Sequence, residues 1–159
     1  MSFEIKLNEL YKEIAQQVND MIPIEWNNFY FNGEVSGGEG GVFFFFMPKC
    51  EKQHIFSHYI PRLYSVDKRV YNKELHKLFQ LTVELQKAFI DYDQEPWFSV
   101  TLLLNDAGKL NVHFDYKNWQ ESEFGPADRI KYFEYKYISQ NAEQLDLIER
   151  MKEFEETFK

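Results

Sequence analysis

The sequence predicts an α+β fold, an antiparallel β-sheet of about four to six strands packed against amphipathic helices. Three observations carry that expectation. Residues 95–116 alternate apolar and polar side chains about a central turn and read as a β-hairpin. Stretches with apolar residues three and four apart read as helices. The order is helix, hairpin, helix, hairpin, helix, without the long βαβ alternation that parallel strands require. The chain has 159 residues, which suggests one domain spanning 1–159 and permits one good core without staples.

The first helix is expected over residues 3–22. Phe3, Leu7, Leu10, Ile14, Val18 and Met21 form one stripe, with Glu4, Glu9, Glu13 and Asp20 largely off it. Ser2 can cap its start and Pro23 stops it. Residues 28–47 read as a hairpin. Gly33, Gly37, Gly38, Gly40 and Gly41 suggest a long, mobile connection, and no Gly-Lys-Ser/Thr follows to make it a phosphate loop. The run Val42-Phe43-Phe44-Phe45-Phe46-Met47 lacks polar alternation, as expected of a central strand covered on both faces, or on one face and by a partner on the other, and Pro48 ends it. Residues 53–60 alternate His54, Phe56, His58 and Ile60 against Ile55, Ser57 and Tyr59, a third-strand pattern.

Residues 67–91 read as a second long helix, with Asp67 as cap and Val70, Leu75, Leu78, Phe79, Thr82, Leu85 and Phe89 as its buried stripe. Its first half is basic through Lys68, Arg69, Lys73 and Lys77, and a solvated face is the simpler meaning. An acidic connector, Asp91, Asp93 and Glu95, leads into the hairpin of residues 95–116. There Phe98, Val100, Leu102 and Leu104 share a face with Leu110, Val112, Phe114 and Tyr116, while Lys109, Asn111, His113 and Asp115 point to the wet side. Asn105-Asp106-Ala107-Gly108 supplies the turn, with Gly108 suited to positive φ. Gly125-Pro126 should open a helix over residues 127–138, although the aromatic density there makes strand a competitor. A last helix is expected over residues 141–159. Asn141 and Gln144 would form its capping box, and Leu145, Ile148, Met151, Phe154 and Phe158 its stripe.

Composition narrows the function classes. The net charge is −8, which disfavours nucleic-acid binding, since phosphate contacts need Lys and Arg, and suits either a basic protein partner or simply solubility. Aromatics make up 18% of the residues, enough for a bulky core or a surface that meets a partner. A single cysteine, Cys50, permits no intrachain disulfide and points to a reducing compartment. The residues from Met1 to Lys6 do not resemble a signal peptide, and no run is long enough to span a bilayer. A cytoplasmic protein is expected.

Reaction chemistry is hard to find. Cys50 lies beside Lys49, with His54 nearby, but the flanking Pro48 and Glu51-Lys52 suggest an exposed turn. His54 and His58 are four apart, as a metal pair on a helix would be, yet the local pattern is a strand and no third ligand is evident. Asp115 and Glu121 could act as general acid and base only in the sense that any two carboxylates could. No catalytic residue, cofactor or metal is expected, and the weight moves to binding.

The short motifs in order carry a family likeness. They are Leu10-Tyr11-Lys12-Glu13-Ile14-Ala15, Met21-Ile22-Pro23-Ile24-Glu25-Trp26, Glu95-Pro96-Trp97, Gly108-Lys109-Leu110 and Phe114-Asp115-Tyr116 with Trp119. Ser122-Glu123-Phe124-Gly125-Pro126, Arg129 and Tyr135-Lys136-Tyr137 complete the set. Over nearly the whole chain this resembles the YezG-like antitoxin family, which includes the EsaG-like immunity proteins of staphylococci. The resemblance implies a cytoplasmic immunity protein that binds and neutralises the nuclease domain of a toxin exported by type VII secretion. An enzyme or small-molecule-binding domain is the alternative reading.

A basic nuclease face would be met by carboxylates helped by an exposed aromatic. The candidates are Asp91, Asp93 and Glu95 before the hairpin, Asp115 on its wet face, and Trp119, Glu121 and Glu123 after it. Glu149, Glu153 and Glu156 on the last helix form a competing acidic surface.

Overall fold

A computed structural model describes residues 2–140 and 143–157, which divide into two compact units, Met1–Asp115 and Tyr116–Lys159. The first unit holds the sheet. Helix α1, Phe3–Met21, starts where Ser2 Oγ accepts the Ile5 N–H at 3.2 Å and stops two residues before Pro23. The strands β1 (Trp26–Ser36), β2 (Glu39–Pro48), β3 (Ile55–Phe56), β4 (Ser99–Leu104) and β5 (Leu110–Asp115) form one antiparallel sheet in the order β3-β2-β1-β4-β5. The α+β expectation and the strand count hold.

Strand register explains the core. Phe29, Phe31, Gly33 and Val35 of β1 lie opposite Phe46, Phe44, Val42 and Gly40 of β2, and the first three also face Leu104, Leu102 and Val100 of β4. This face packs with Leu10, Ile14 and Val18 of α1 and with Leu78, Leu85 and Phe89 of helix α3, Lys68–Asp91. Asp67 caps α3 by accepting the Arg69 and Val70 N–H groups at 2.8 and 3.3 Å. Gln86 Nε2 joins this helix to the sheet by donating to the Val35 carbonyl at 2.9 Å.

Several expectations are corrected. The glycines form no long loop: Gly37 and Gly38, at φ 60° and 79°, make a two-residue turn in which both residues need positive φ, and Gly33 lies inside β1. The Phe run, by contrast, is as expected: β2 is an interior strand paired with both β1 and β3 and buried on both faces, with Phe43 and Phe45 packing on Phe56. The third strand ends after Phe56, because the chain turns into a 3-10 segment, Ser57–Tyr59, and a short helix α2, Ile60–Tyr64, with Pro61 in its first turn. Ser57 Oγ instead accepts the Phe44 N–H at 3.1 Å, continuing the sheet edge with a side chain. On α3 Val70 is exposed and Tyr71 takes the inner position.

The β4–β5 hairpin follows the expected facing from Val100 to Phe114. Gly108 takes φ 79°, and Asn105 Oδ1 accepts the N–H groups of Ala107 and Lys109 at 3.0 and 2.9 Å. Tyr116 departs from it: it lies past the end of β5 and is half exposed.

The second unit is a helical pair on an aromatic core. A 3-10 segment, Trp119–Glu121, is capped by Asn118 Oδ1 accepting the Gln120 N–H at 3.0 Å. Helix α4 spans Pro126–Tyr137, with Gly125 as N-cap and Pro126 at its first position, so helix prevails over strand. Helix α5 spans Leu145–Thr157, later than expected, and Leu145 is exposed while Ile148 and Met151 are buried. The proposed cap Asn141 and the stripe residue Phe158 lie outside the described residues.

Candidate partner-binding surface

Helix α3 ends in an acidic pole. Its last turn closes through Tyr92 N–H to the Ala88 carbonyl, Asp93 N–H to Ile90 and Gln94 N–H to Phe89, at 3.1, 3.1 and 2.7 Å. Asp93 turns the chain at φ 57°, a left-handed conformation that Asp tolerates better than most residues. The geometry leaves Asp91, Asp93 and Glu95 exposed around one helix end. No basic residue sits in that turn, and the helix macrodipole adds partial negative charge there. The basic residues Lys68, Arg69, Lys73 and Lys77 lie toward the opposite, positive end. Both sets of charges therefore reinforce the dipole rather than offset it, a distribution that disfavours helix stability and strengthens the field.

An apolar centre adjoins this pole. Phe3 packs against Phe89 and Tyr92 with ring centroids 5.1 and 5.2 Å apart, and both Phe3 and Tyr92 keep part of their surface open. Ile90 is 52% exposed. Phe3, Ile90 and Tyr92 were not among the expected site residues. The signal for two of them was the run Ile90-Asp91-Tyr92-Asp93, which interleaves apolar groups with acids.

The other candidates fall differently. Asp115, at the end of β5, is partly buried, and its backbone carbonyl accepts the Phe98 N–H at 2.8 Å. Trp119 belongs to the second unit and is no exposed aromatic. It is 4% exposed and packs on Phe124, Tyr132 and Phe154 at 6.1, 5.8 and 4.8 Å, because an indole beside a helical pair buries more area inside than out. In the same unit Glu121 is exposed, and Glu123 pairs with Arg150 at 3.3 Å. On α5 Glu149, Glu153 and Glu156 are exposed, with Glu149 3.9 Å from Lys152. Exposed pairs of this kind contribute little to stability.

The histidines and the cysteine have other surroundings. His54 Nε2 donates to Asn28 Oδ1 at 2.7 Å and its ring stacks on Tyr30. His58 Nδ1 lies 2.8 Å from the Tyr71 hydroxyl. Burial holds both imidazoles below their ordinary value, and it pushes the Tyr71 hydroxyl up to about 12. Cys50 is exposed in the turn after β2. Among the described residues no three His, Cys, Asp or Glu side chains are placed to hold a metal, and no helix is long and apolar enough to cross a membrane.

Comparison with known proteins gives a consistent result. The family model described as "Immunity protein YezG-like" matches residues 7–152. The type VII secretion system protein EsaG of Staphylococcus aureus is 34% identical over 160 residues, covering 100% of this chain and 98% of the relative. The immunity protein YezG of Bacillus subtilis is 31% identical over 132 residues, covering 83% of this chain and 87% of the relative. Its counterpart in Bacillus spizizenii is 30% identical over 133 residues, covering 84% and 83%.

Proposed function

The chain belongs to the YezG-like immunity protein family, and from that membership we propose that it is a cytoplasmic antitoxin. In this reading it binds and neutralises the nuclease domain of a toxin exported by type VII secretion. The observation that carries the reading is the match along the whole chain to a relative named for type VII secretion, together with two relatives named as immunity proteins. The matched span crosses both compact units, which supports treating the chain as one immunity domain.

Charge supports the choice of target. A nuclease must attract phosphate, so its working face is basic, and a chain of net charge −8 is its electrostatic complement. The α3 pole offers the elements of such a contact: Asp91, Asp93 and Glu95 are exposed there, Ile90 beside them is exposed, and Tyr92 packs on Phe3 with part of its surface open. The carboxylates steer encounter, and the apolar centre supplies durable contact energy once water is excluded. Neutralisation by occlusion needs no turnover, so the protein acts as a stoichiometric inhibitor and not as an enzyme. The toxin, and not nucleic acid, is its partner.

Co-expression with candidate type VII-exported nucleases, followed by pull-down and a DNA-cleavage titration, tests this. A stable complex and loss of cleavage near equimolar inhibitor are expected. Failure to bind or protect against any toxin encoded beside the gene would overturn the proposal.

A further inference from the structure

The sheet finishes its two edges differently. On one side β3 pairs Phe56 with Phe45 and Ile55 with Phe46, and Ser57 Oγ takes the next outward N–H, that of Phe44. On the other side β5 is outermost. Asn105 N–H donates to the Lys109 carbonyl, and the register continues through Leu103 with Asn111, Thr101 with His113 and Ser99 with Asp115. In an antiparallel ladder every second residue exchanges bonds with its neighbour, so Lys109, Asn111, His113 and Asp115 face β4. The N–H and C=O groups of Leu110, Val112 and Phe114 point away from the sheet, and among the described residues no hydrogen bond reaches them there. Edge strands are commonly guarded by Pro, a bulge or a central charge. β5 itself has none of these: its register with β4 has no shift from Leu110 to Asp115, its one charged residue is the terminal Asp115, and Lys109 immediately precedes the strand.

We propose that β5 is a self-pairing edge, through which two copies of this chain join antiparallel, β5 to β5, about a two-fold axis at Val112. The outward groups pair only even-numbered residues with even-numbered residues. In the register centred on Val112, Leu110 faces the second copy's Phe114, Asn111 faces the second copy's His113, and Lys109 faces the second copy's Asp115. Symmetry repeats each pair. The Lys109–Asp115 pair falls at a non-hydrogen-bonded position, where opposed side chains come closest and opposite charges stabilise the ladder. A carboxylate has two oxygens, so Asp115 can accept this lysine beside the contact it already makes. The adjacent registers, centred on Asn111 or His113, shorten the overlap and set Lys109 against His113 or Asp115 against Asn111, leaving the charges unmatched. Two six-residue strands make a small interface, so the dimer is weak and concentration-dependent.

Sedimentation of the full chain at rising concentration, paired with disulfide trapping in a Cys50→Ser background, tests the proposal. The expected mass rises toward a dimer, and Lys109→Glu shifts the transition to higher concentration. Under mild oxidation, Asn111→Cys mixed with His113→Cys should cross-link faster than either variant alone, because each position faces the other and not itself. A chain that stays monomeric at every concentration, or cross-linking at equal rates in all combinations, would overturn it. Both cysteine positions are exposed, so the trapping does not depend on core variants that fail to fold.

Discussion

Thr82 on α3 occupies the space that a side chain would take at Gly33 on β1: a Cβ there would lie 2.6 Å from Thr82 Cγ2. The threonine is held in place, since its Oγ1 donates to the Leu78 carbonyl at 2.9 Å. Phe31 Cζ and Val42 Cγ1, at 3.1 and 3.2 Å, close the other sides. Gly33→Ala is therefore expected to destabilise by about 1–3 kcal/mol, as overpacking does. Thr82→Ser removes the opposing methyl and keeps the hydroxyl, so the double variant should regain part of that loss. Urea unfolding of the two single variants and the double variant measures the coupling. Strictly additive losses would mean that the two residues do not compete for this space.

Leu102 is fully buried between Phe31 and Val112 in the strand registers. Leu102→Ala should cost roughly 2–5 kcal/mol, the range for large-to-small changes in a core. Leu103→Ala, on the opposite face and only partly buried, should cost clearly less. Thermal melts compare the two directly, and an unchanged melting temperature for Leu102→Ala would reverse the facing assigned to β4.

What the sequence disclosed and what it hid follow from the range of the forces involved. Ser2, Asp67 and Gly125-Pro126 act within one helical turn, so the starts of α1, α3 and α4 were legible. Gly33 could not be told from Gly37 and Gly38, because its reason is Thr82, distant along the chain. His54 to Ile60 alternates like a strand, yet Pro61 and the Ser57 hydroxyl end the ladder after Phe56. Charge was the readable part of the candidate surface: Asp91, Asp93 and Glu95 do gather at one helix end. Trp119 is not the exposed aromatic that the sequence suggests: it is buried while Tyr92 is partly open, and no local pattern distinguishes the two.

His54 makes stability depend on pH. Its folded value is lowered by burial, whereas the unfolded chain binds the proton at about 6.5. Below that pH the unfolded state holds more protons, so stability is full above about pH 6.5 and falls as the pH drops toward the folded value. His58 shifts in the same direction. His54→Gln should flatten part of the decline, and adding His58→Gln should flatten more. Urea midpoints measured between about pH 8 and pH 5.5, which spans the unfolded titration, should show this. An unaltered slope in the double variant would rule it out.

Trp119 should act on the fold and not directly on the partner. It closes the aromatic core with Phe124, Tyr132 and Phe154. Trp119→Ala should cost about 3–5 kcal/mol, and Trp119→Phe much less because it keeps most of the packing. If Trp119→Phe folds with wild-type stability yet loses toxin affinity, the indole is itself a contact.

The acidic clusters can be separated by kinetics. Three charge-reversal sets, Asp91/Asp93/Glu95, Glu121/Glu123 and Glu149/Glu153/Glu156, change exposed positions and should leave the fold intact by circular dichroism. Rim charges act mainly on encounter, and their effect fades with salt, the Debye length being about 8 Å at physiological ionic strength. Reversing the α3 cluster should therefore slow toxin association at low salt, with a smaller effect at high salt. Tyr92→Ala and Ile90→Ala remove the apolar centre instead, so they should speed dissociation at either salt. The second set includes Glu123, already paired with Arg150 at 3.3 Å, so its reversal should have the weaker effect on association. If the α3 set leaves both rate constants unchanged while the α5 set slows association, the acidic face of α5 carries the interface and the pole of α3 is only a solvated helix end.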